Sequence, residues 1–582
     1  MQKLFLSILL SLTPVLFFAQ GSMLPLNNPG YHIVDRLEIK TGLKTPFHSS
    51  VKGITRGAII QYALKLDSLT TLSDKDKKDI EYLFVDNNEW LGMGSFPLTI
   101  SERHATGYSQ MKESMKHPAF LLSKKPFAKY FYQTPANLFD INDKDFHIRV
   151  NPLLHFSVAQ QKESDEWVFM NTRGVQLRGG VDDRIYFFMN IKENQARFPQ
   201  YINDWVKTHQ AIPHQALYKN YRSNVFAVKN GYDFLNGQGY IGFNITRHVG
   251  LQFGYGRQFI GNGYRSVLLS DFANNYPYLK INWNVWKFHY QNLFAELNVT
   301  SNKNPKDRLE ARKYMAAHYL GFKLLSNLEL GVFEVVMFNR NDHFEFQYLN
   351  PVIFYRLAEH ALGSPDNVLI GLNGKWNFLK HFQLYGQLML DEFLFKELFI
   401  EKRGWWGNKF GLQAGLKYIN AFGIDHLDLQ FEGNYIRPYT YSHRDSSDVY
   451  NHFHQPLAHP NGSNIKEVIV KFRYQPHYRF VFEGRLIRSV SGEDTLGSNW
   501  GGNLLLPSGT REQQYGNFTG QGVTANTTLI GIDFSYMFRH NLFLDLHYFY
   551  RKRDSKITTV NQFDRYFGAG VRLNIFPKKL DF

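Results

Sequence analysis

"IGIDFSYMFRHNLFLDLHYFY", residues 530–550, alternates apolar and polar side chains on both sides of a minimal turn. Before the turn, Ile530, Ile532 and Phe534 share one face, and Asp533 and Ser535 lie on the other. After the turn the pattern repeats, and only one face carries charge. A period of two indicates β-strands. A charge-free face suits lipid and a polar face suits a wet lumen, so the stretch predicts a hairpin of a transmembrane β-barrel.

The same alternation recurs along the chain, for example in residues 368–378 and 427–435, and in residues 567–575 before the last residue, Phe582. Short and long connections take turns. Tight turns are expected near residues 284, 326–327, 379–381, 422–425, 475–477 and 539, and long connections at 258–275, 299–314, 339–367, 392–408, 438–464, 490–526 and 552–562. Short periplasmic turns and long outer loops are typical of outer-membrane barrels, so we predict an all-β, antiparallel outer-membrane barrel of about 18 strands between residues 146 and 576.

The N-terminus has the form of a secretory signal. Lys3 is followed by an apolar run over residues 4–18 and by the small residue Ala19. The run is too short for a transmembrane helix of about 20 residues. We therefore expect residues 1–20 to be a signal peptide and the remainder to lie in the outer membrane of a Gram-negative bacterium, in contact with outer-membrane lipid. The chain has 0 Cys, so disulfides do not stabilise it.

Residues 21–140 form a different N-terminal region, and residues 141–582 are assigned to the barrel. Residues 54–90 have helical periodicity. Ser73 followed by Asp76 has the spacing of a capping box. The pattern predicts a small helical module on the periplasmic side or partly inside the barrel mouth; a plain linker is the alternative.

Residues 254–281 begin like a phosphate-binding glycine loop, "GYGRQFIGNG". A dinucleotide loop needs a helix directly after the glycines, and here two further strands follow, which argues against a nucleotide. Successive strands reverse direction, so their connections alternate between the two ends of the barrel. This count places residues 258–275 at the outer end, with Arg257, Tyr264, Arg265 and Asp271 near the barrel mouth. One interpretation is a structural loop folded into the lumen with its charges paired; the other is a constriction that contacts a ligand.

Composition gives two further hypotheses about ligands. The formal net charge is +15 and aromatic residues make up 16%. A positive lumen would attract anionic chains such as acidic polysaccharide; pairing with Asp428, Glu432, Asp533 and Asp545 is the alternative. The inward basic residues are Arg149, Lys375, Lys417, Lys471, Arg473, Arg485 and Arg572. The loop over residues 491–525 carries amides and aromatic faces, with Trp500 and Tyr515, that suit sugars.

Catalytic, cofactor and metal chemistry receive little support. No nucleophile elbow is present, so we predict no enzyme and no cofactor. The weak candidates for a metal site are His452 and His454, which the pattern places on one face of a strand, and His459, although surface or packing roles are commoner for this pattern. The basic residues are scattered, which argues against nucleic acid.

Five stretches resemble a known family: "ENQARFPQY" (residues 193–201), residues 254–281, "NPVIFYR" with "GSPDN" (residues 350–367), "WWGNKFGLQAGLKY" (residues 405–418) and "QPLAHPNGSNIKEVIV" (residues 455–470). They look like the Wzi-like capsule assembly proteins and RemB-type gliding motility proteins of Bacteroidota, over most of the chain from about residue 31. The resemblance implies an 18-stranded barrel with a periplasmic helical bundle that attaches capsular polysaccharide to the cell surface. It implies no catalytic residues.

The expected function is therefore non-enzymatic retention or assembly of surface polysaccharide. A surface role in gliding or adhesion and a porin-like channel are the alternatives. Partners among other cell-envelope proteins are not defined by the sequence.

Overall fold

The computed structural model describes residues 21–91, 121, 123, 130–143, 146–162, 167–182, 184–223, 228–299, 311–340, 343–352, 354–363, 366–495, 497–557, 562–577 and 580–582. Eighteen long antiparallel strands form one closed barrel. They are β1 Phe146–Gln161, β2 Trp167–Val181, β3 Ile185–Arg197, β4 Val228–Asn244, β5 Val249–Gly256, β6 Tyr276–Val285, β7 Phe288–Asn298, β8 Arg312–Lys323, β9 Leu328–Phe338, β10 Asn367–Phe378, β11 Phe382–Glu392, β12 Lys409–Tyr418, β13 Leu427–Ile436, β14 Ile465–His477, β15 Phe480–Glu493, β16 Val523–Arg539, β17 Leu542–Ser555 and β18 Gln562–Leu573.

Each strand pairs with its neighbours in the chain, and β1 closes the barrel by pairing with β18, where His155 lies opposite Arg572. The predicted hairpin is β16 and β17. Leu544 and Leu546 of β17 are exposed on the outer wall, whereas Phe543 and Phe549 are buried in the lumen. The period of two thus separates lumen from lipid, and the predicted outer-membrane type of barrel is confirmed.

Short and long connections alternate between the two ends of the barrel, as predicted. The short-turn end carries connections such as residues 286–287, 379–381 and 540–541, and the long-loop end carries residues 257–275, 339–366, 437–464 and 494–522. The connections at residues 162–166 and 556–561 are short although they lie at the long-loop end. The bounds shift from the prediction by a few residues, because strand ends continue past the last alternating residue.

The outer wall is apolar and carries aromatic residues near the short-turn end. Leu372, in the middle of β10, is 50% exposed. Near the turns, Phe288 stacks on Phe322 with ring centroids 4.7 Å apart, and Phe382 stacks on Tyr418 at 4.5 Å. Such a band of rings is typical of a membrane interface. None of the described helices is long and apolar enough to cross a membrane.

In the part of the chain that the structure describes, three α-helices precede the barrel: α1 Pro29–Thr41, α2 Arg56–Asp67 and α3 Asp74–Asp86. The helices expected within residues 54–90 are confirmed, and Ser73 and Asp76 form the predicted capping box. Helix α1 was missed, although Asn28 caps it, Pro29 starts it and Gly42 ends it in the left-handed conformation. Residues 1–20, the expected signal peptide, lie outside the described residues.

These three helices form a unit that lies in the mouth of the barrel at the short-turn end. Glu38 binds Lys375 of β10 at 2.7 Å, Glu89 binds Arg178 of β2 at 2.9 Å, and Asp86 contacts His540 of the β16–β17 turn at 3.2 Å. Burial alone would raise the pKa of the Glu89 carboxyl, but Arg178 lowers it to about 2. Because these partners are spread around the barrel, the helical unit occupies the lumen at this end.

The last strand ends earlier than the sequence pattern suggests. Alternation over residues 567–575 predicted a strand to the end of the barrel, but β18 stops at Leu573. Asn574 adopts a left-handed conformation with φ 54°, and the chain turns back into the lumen. There the Arg551 Nε donates to the Phe582 carbonyl at 3.2 Å. The prediction was wrong at this point because a left-handed asparagine breaks a strand that its side chains would otherwise continue.

Candidate functional site

Residues 257–275, the glycine-rich loop, fold into the lumen and meet the helical unit there. The Gly261 amide donates to the Ser50 carbonyl at 2.7 Å, and the Lys52 amide donates to the Phe259 carbonyl at 3.0 Å. The Gln387 side chain of β11 accepts from the Val267 amide at 2.9 Å and donates to the Ile260 carbonyl at 2.9 Å. The loop and the helical unit therefore fill the lumen together, and we call them the plug. Backbone hydrogen bonds join the two parts.

The wall residue Glu432 fixes the tip of this loop. The Glu432 carboxylate of β13 accepts the amides of Tyr264 at 2.6 Å and Arg265 at 3.0 Å, as well as the Tyr385 hydroxyl at 2.8 Å. Glu432 thus binds backbone N–H groups, whereas the sequence-based alternative paired it with a basic residue of the wall.

Arg265 is the centre of a buried ion network. Its guanidinium contacts Glu467 at 3.3 Å and Asp581 at 3.0 Å. Burial alone would lower its pKa, but these two carboxylates raise it. Asp581 also contacts Arg485 of β15 at 3.1 Å. The loop and the segment 580–582 are therefore held together by charges that water does not screen.

Arg257 and Asp271 lie at the base of the same loop. The Arg257 Nη1 donates to the His214 carbonyl at 2.8 Å and to the Ala273 carbonyl at 3.4 Å. Burial lowers the pKa of Arg257, and the charge of Asp271 opposes this shift. Both side chains are half-buried.

A cavity of ≈ 1140 Å³ remains beside the plug, and Arg257, Tyr264, Arg265 and Asp271 all line it. The structure thus brings together four of the six residues that the sequence singled out as ligand-binding. The lining extends from Lys78 at the short-turn end to Arg197 near the long-loop end. Basic side chains outnumber acidic ones in this wall. The basic residues are Arg36, Lys52, Lys78, Lys192, Arg197, Arg257, Arg265, Lys417, Lys471, Arg473, Arg479, Arg485, Arg539 and Arg572.

Many of the inward basic residues are paired. Arg485 binds Asp533 at 2.6 Å, and Arg572 binds Asp545 at 2.6 Å, both across adjacent strands. The remaining pairs use partners that the sequence pattern did not identify: Arg149 with Asp140, Lys375 with Glu38, Lys417 with Asp35 and Arg473 with Glu483. The paired-charge interpretation thus holds for these residues, while the wall as a whole keeps an excess of positive charge.

Trp500 and Tyr515 lie apart from the cavity, in the long loop 494–522. The Trp500 amide donates to Asp494 at 2.5 Å, and its side chain is half-buried. Tyr515 is 41% exposed, and the Arg403 guanidinium lies 4.4 Å above its ring.

Next to them, Arg511 lies 4.1 Å above the ring of Trp406. We call Trp406, Arg403, Arg511, Tyr515 and the exposed Phe518 the aromatic surface. Trp406 lies in the stretch 405–418 and Phe518 in the loop 491–525, both of which the sequence analysis describes. Nothing in the sequence indicates that these two segments meet.

The three histidines that are candidates for a metal site bind separate partners. His452 accepts the Asn298 amide at 3.0 Å, His454 lies 2.6 Å from the His209 carbonyl, and His459 contacts Glu467 at 2.9 Å. The sequence pattern predicts that His452 and His454 share one face of a strand, and this prediction is wrong. Phe453 and His454 adopt left-handed turn conformations, which interrupt the strand after His452.

Among the described residues, the one group whose ligand atoms lie within 4.8 Å of one another is Asp76, Asp425 and His426. Arg36 contacts Asp76 at 2.5 Å and Asp425 at 3.4 Å. A cation therefore already occupies the place that a metal ion would take.

No family model matches the chain, and no curated protein matches it. Among solved structures, it is similar to Wzi of Escherichia coli, described as an outer-membrane protein involved in group 1 capsule assembly and a carbohydrate-binding β-barrel, with 13% identity, a TM-score of 0.55, and 95% of this chain and 99% of that chain covered. It is also similar to OprD of Pseudomonas aeruginosa, with 9% identity, a TM-score of 0.39, and 73% and 94% covered. At these identities the first likeness supports the fold, a Wzi-like barrel.

Proposed function

We propose that the protein is exported to the outer membrane by its signal peptide, and there binds and retains an acidic surface polysaccharide without catalysis. The observation that carries this proposal is the lumen itself. Helices, a folded loop and the segment 580–582 fill much of it, and the wall of the cavity that they leave carries more basic than acidic side chains. A low-dielectric cavity with an excess of one charge concentrates ligands of the opposite charge.

The basic wall has a defined point of contact beside the plug. The Lys471 ammonium lies 4.4 Å above the Tyr264 ring, and Arg265 lies 5.2 Å from the same ring. A tyrosine face with cations on it presents charge and an apolar surface together. Carboxylates and C–H faces of an acidic sugar have the matching chemistry.

The aromatic surface would serve as an outer contact for the same polymer. Tyr515 and Phe518 are exposed by 41% and 61%. Arginines over the rings of Trp406 and Tyr515 hold these rings in place, as cation–π pairs do. This surface lies at the long-loop end, which faces the outside of the cell under this proposal.

The first test is a clean deletion strain, in which cell-bound and shed polysaccharide are measured and gliding is scored on the same cells. Polymer that moves from cells to medium, and returns with the wild-type gene, supports retention. Unchanged polymer with lost spreading contradicts it and supports the surface role in gliding.

A matched pair of variants tests the charge argument in the purified barrel. Lys471→Glu reverses a charge in the cavity, whereas Lys466→Glu makes the same change on the exposed outer face of β14. With polygalacturonate as the anionic probe and dextran as the neutral one, we expect Lys471→Glu alone to weaken polygalacturonate binding. An equal loss of polygalacturonate binding in both variants would indicate an effect of the net charge of the protein instead of a binding site in the cavity.

A channel is the second candidate function, because the cavity lining reaches from one end of the lumen towards the other. Single-channel recording on the purified barrel separates the two. Steady ion conductance in the wild type favours a channel, and its absence favours a plugged, polymer-binding barrel.

A further inference from the structure

Three polar residues form a row on the outer wall of the barrel, where lipid is expected. Asn292 of β7 pairs directly with His318 of β8, and His318 pairs directly with Glu334 of β9. Their neighbours Leu293 and Phe333 point into the lumen core, so the row itself points outward. Glu334 is near the middle of the 11-residue strand β9. A membrane-spanning strand needs about 9–11 residues, so this row lies within the apolar belt.

A segment of the long loop between β9 and β10 covers this row. We call residues 343–352 and 354–362 the strap; it contains the helix α4, Tyr355–Ala361. The Tyr290 hydroxyl and the Asn292 amide of β7 donate to the Pro351 carbonyl at 2.5 and 3.2 Å.

Glu334 and His318 hold the start of α4. The Glu334 carboxylate accepts the amides of Tyr355 at 2.9 Å and Arg356 at 3.0 Å. The His318 ring stacks on Tyr355 with centroids 3.9 Å apart. The row therefore satisfies backbone groups of the strap, which is the condition for irregular backbone to persist beside lipid.

The strap has two different faces. Its inner face packs Tyr348, Tyr355 and Ala358 against outward-facing residues of the barrel such as Phe294 and Val336. Its other face exposes Phe346 and Val352 by 82%, Phe354 by 66% and Leu357 by 61%.

This exposed face continues the apolar belt of the barrel. Beside and below the row, Leu320, Val332 and Ile370 are exposed on the outer wall by 40%, 42% and 41%. Large apolar side chains in a continuous patch of this kind mark a binding surface. Because the neighbouring wall residues face acyl chains, continuity assigns the same surroundings to the strap.

We propose that the strap is an embedded lipid-contact segment, whose exposed face binds acyl chains of the membrane leaflet at the long-loop end. Its backbone is held by Asn292 and Glu334 on the outer wall, and its Tyr355 ring stacks on His318. This proposal requires the transmembrane barrel but not the polysaccharide function. It also gives a physical role to the stretch "NPVIFYR", which supplies Pro351, Val352, Phe354 and Tyr355.

The absence of cysteine makes the test direct, because each introduced thiol is unique. The full chain carries a nitroxide at Val352→Cys or Leu357→Cys and is reconstituted in phosphatidylcholine–phosphatidylglycerol vesicles. Collision rates with oxygen, which enters lipid, and with a water-soluble nickel chelate are measured. Leu372→Cys is the control for the lipid-facing wall, and Gly509→Cys, where a new Cβ has open space, is the control for water.

We expect the oxygen-to-nickel ratio at residues 352 and 357 to match that at residue 372 and to exceed that at residue 509. A ratio equal to the one at Gly509→Cys would place the strap in water and overturn the proposal. Low collision rates with both reagents would indicate a protein interface, such as a second copy, and would overturn it as well.

A second variant tests the role of the row. Glu334→Ala removes the acceptor of two strap amides, so the ratio at a Val352→Cys label should shift towards the aqueous value. An unchanged ratio would refute the role assigned to Glu334. If this variant does not fold, the measurement on the two labelled sites alone still decides whether the strap contacts lipid.

Discussion

Replacing Arg265 by methionine should make the loop over residues 257–275 open more often from its place in the lumen. The substitution keeps much of the side-chain volume but leaves the buried carboxylates of Glu467 and Asp581 without this partner. Breaking a buried ion pair by removing one partner costs about 3–5 kcal/mol. Because about 1.4 kcal/mol corresponds to a factor of ten, local opening of the loop should become between about 10²-fold and about 4 × 10³-fold more frequent.

Hydrogen exchange of the intact barrel in lipid measures this opening directly. Peptides covering residues 262–273 should lose protection by that factor in Arg265→Met, whereas peptides from β9 and β10 should not change. Arg312→Met is the matched control, since Arg312 forms an exposed pair with Glu296 at 3.4 Å that contributes little. Glu467→Gln should reproduce part of the loss of protection. The double variant, Arg265→Met with Glu467→Gln, should lose less protection than the sum of the losses in the two single variants.

Unchanged protection in Arg265→Met would refute the network as the support of the plug. Backbone bonds to Glu432 and Gln387 would then be sufficient to hold the loop. A loss that is equal in Arg265→Met and in Arg312→Met would show a general effect of lost positive charge.

Three further predictions concern the helical unit and the loop. Ser73→Ala removes the capping box of α3 and should destabilise the unit by about 1 kcal/mol, seen as a several-fold faster maleimide reaction of a buried Ala63→Cys thiol; an unchanged rate would contradict a stabilising cap. Glu89 has a pKa of about 2 against an ordinary value of 4.5, so its stabilising contribution is present above pH 4.5 and is lost as the pH falls towards 2. Hydrogen-exchange protection of peptides from α2 and α3, corrected for the intrinsic pH dependence of exchange, should fall over that range in the wild type and fall less in Glu89→Gln; an equal fall in both would contradict the role of Glu89. Gly261→Ala adds a Cβ 2.6 Å from the Gln387 side chain at φ 140°, and should lower exchange protection of the loop without affecting the barrel; full protection would show that Gln387 can move aside.

Much of the barrel could be predicted because lipid and lumen impose one simple rule on every strand. The alternation of Leu544 and Leu546 with Asp545 follows that rule, and so do the long and short connections. The resemblance to Wzi-like proteins gave the same fold, which the structure then confirmed.

The contents of the lumen could not be predicted in the same way, since no periodic rule applies there. Arg265 meets Asp581 from the far end of the chain, and neither residue's local sequence indicates the other. The strand expected to run past Leu573 fails at Asn574 for a local reason. Likewise, the strand expected to carry His452 and His454 is interrupted by a tight turn, which composition alone did not reveal.

The position of the helical unit has a consequence for biogenesis. Glu89 contacts β2 and Asp86 contacts the β16–β17 turn, so the unit bridges the seam where β1 meets β18. The contact of Asp86 joins residues 454 positions apart and cannot form before the β16–β17 turn exists. The helical unit precedes the barrel in the chain but therefore reaches its final place only after β16 and β17 have formed, and there it bridges the seam against lateral opening.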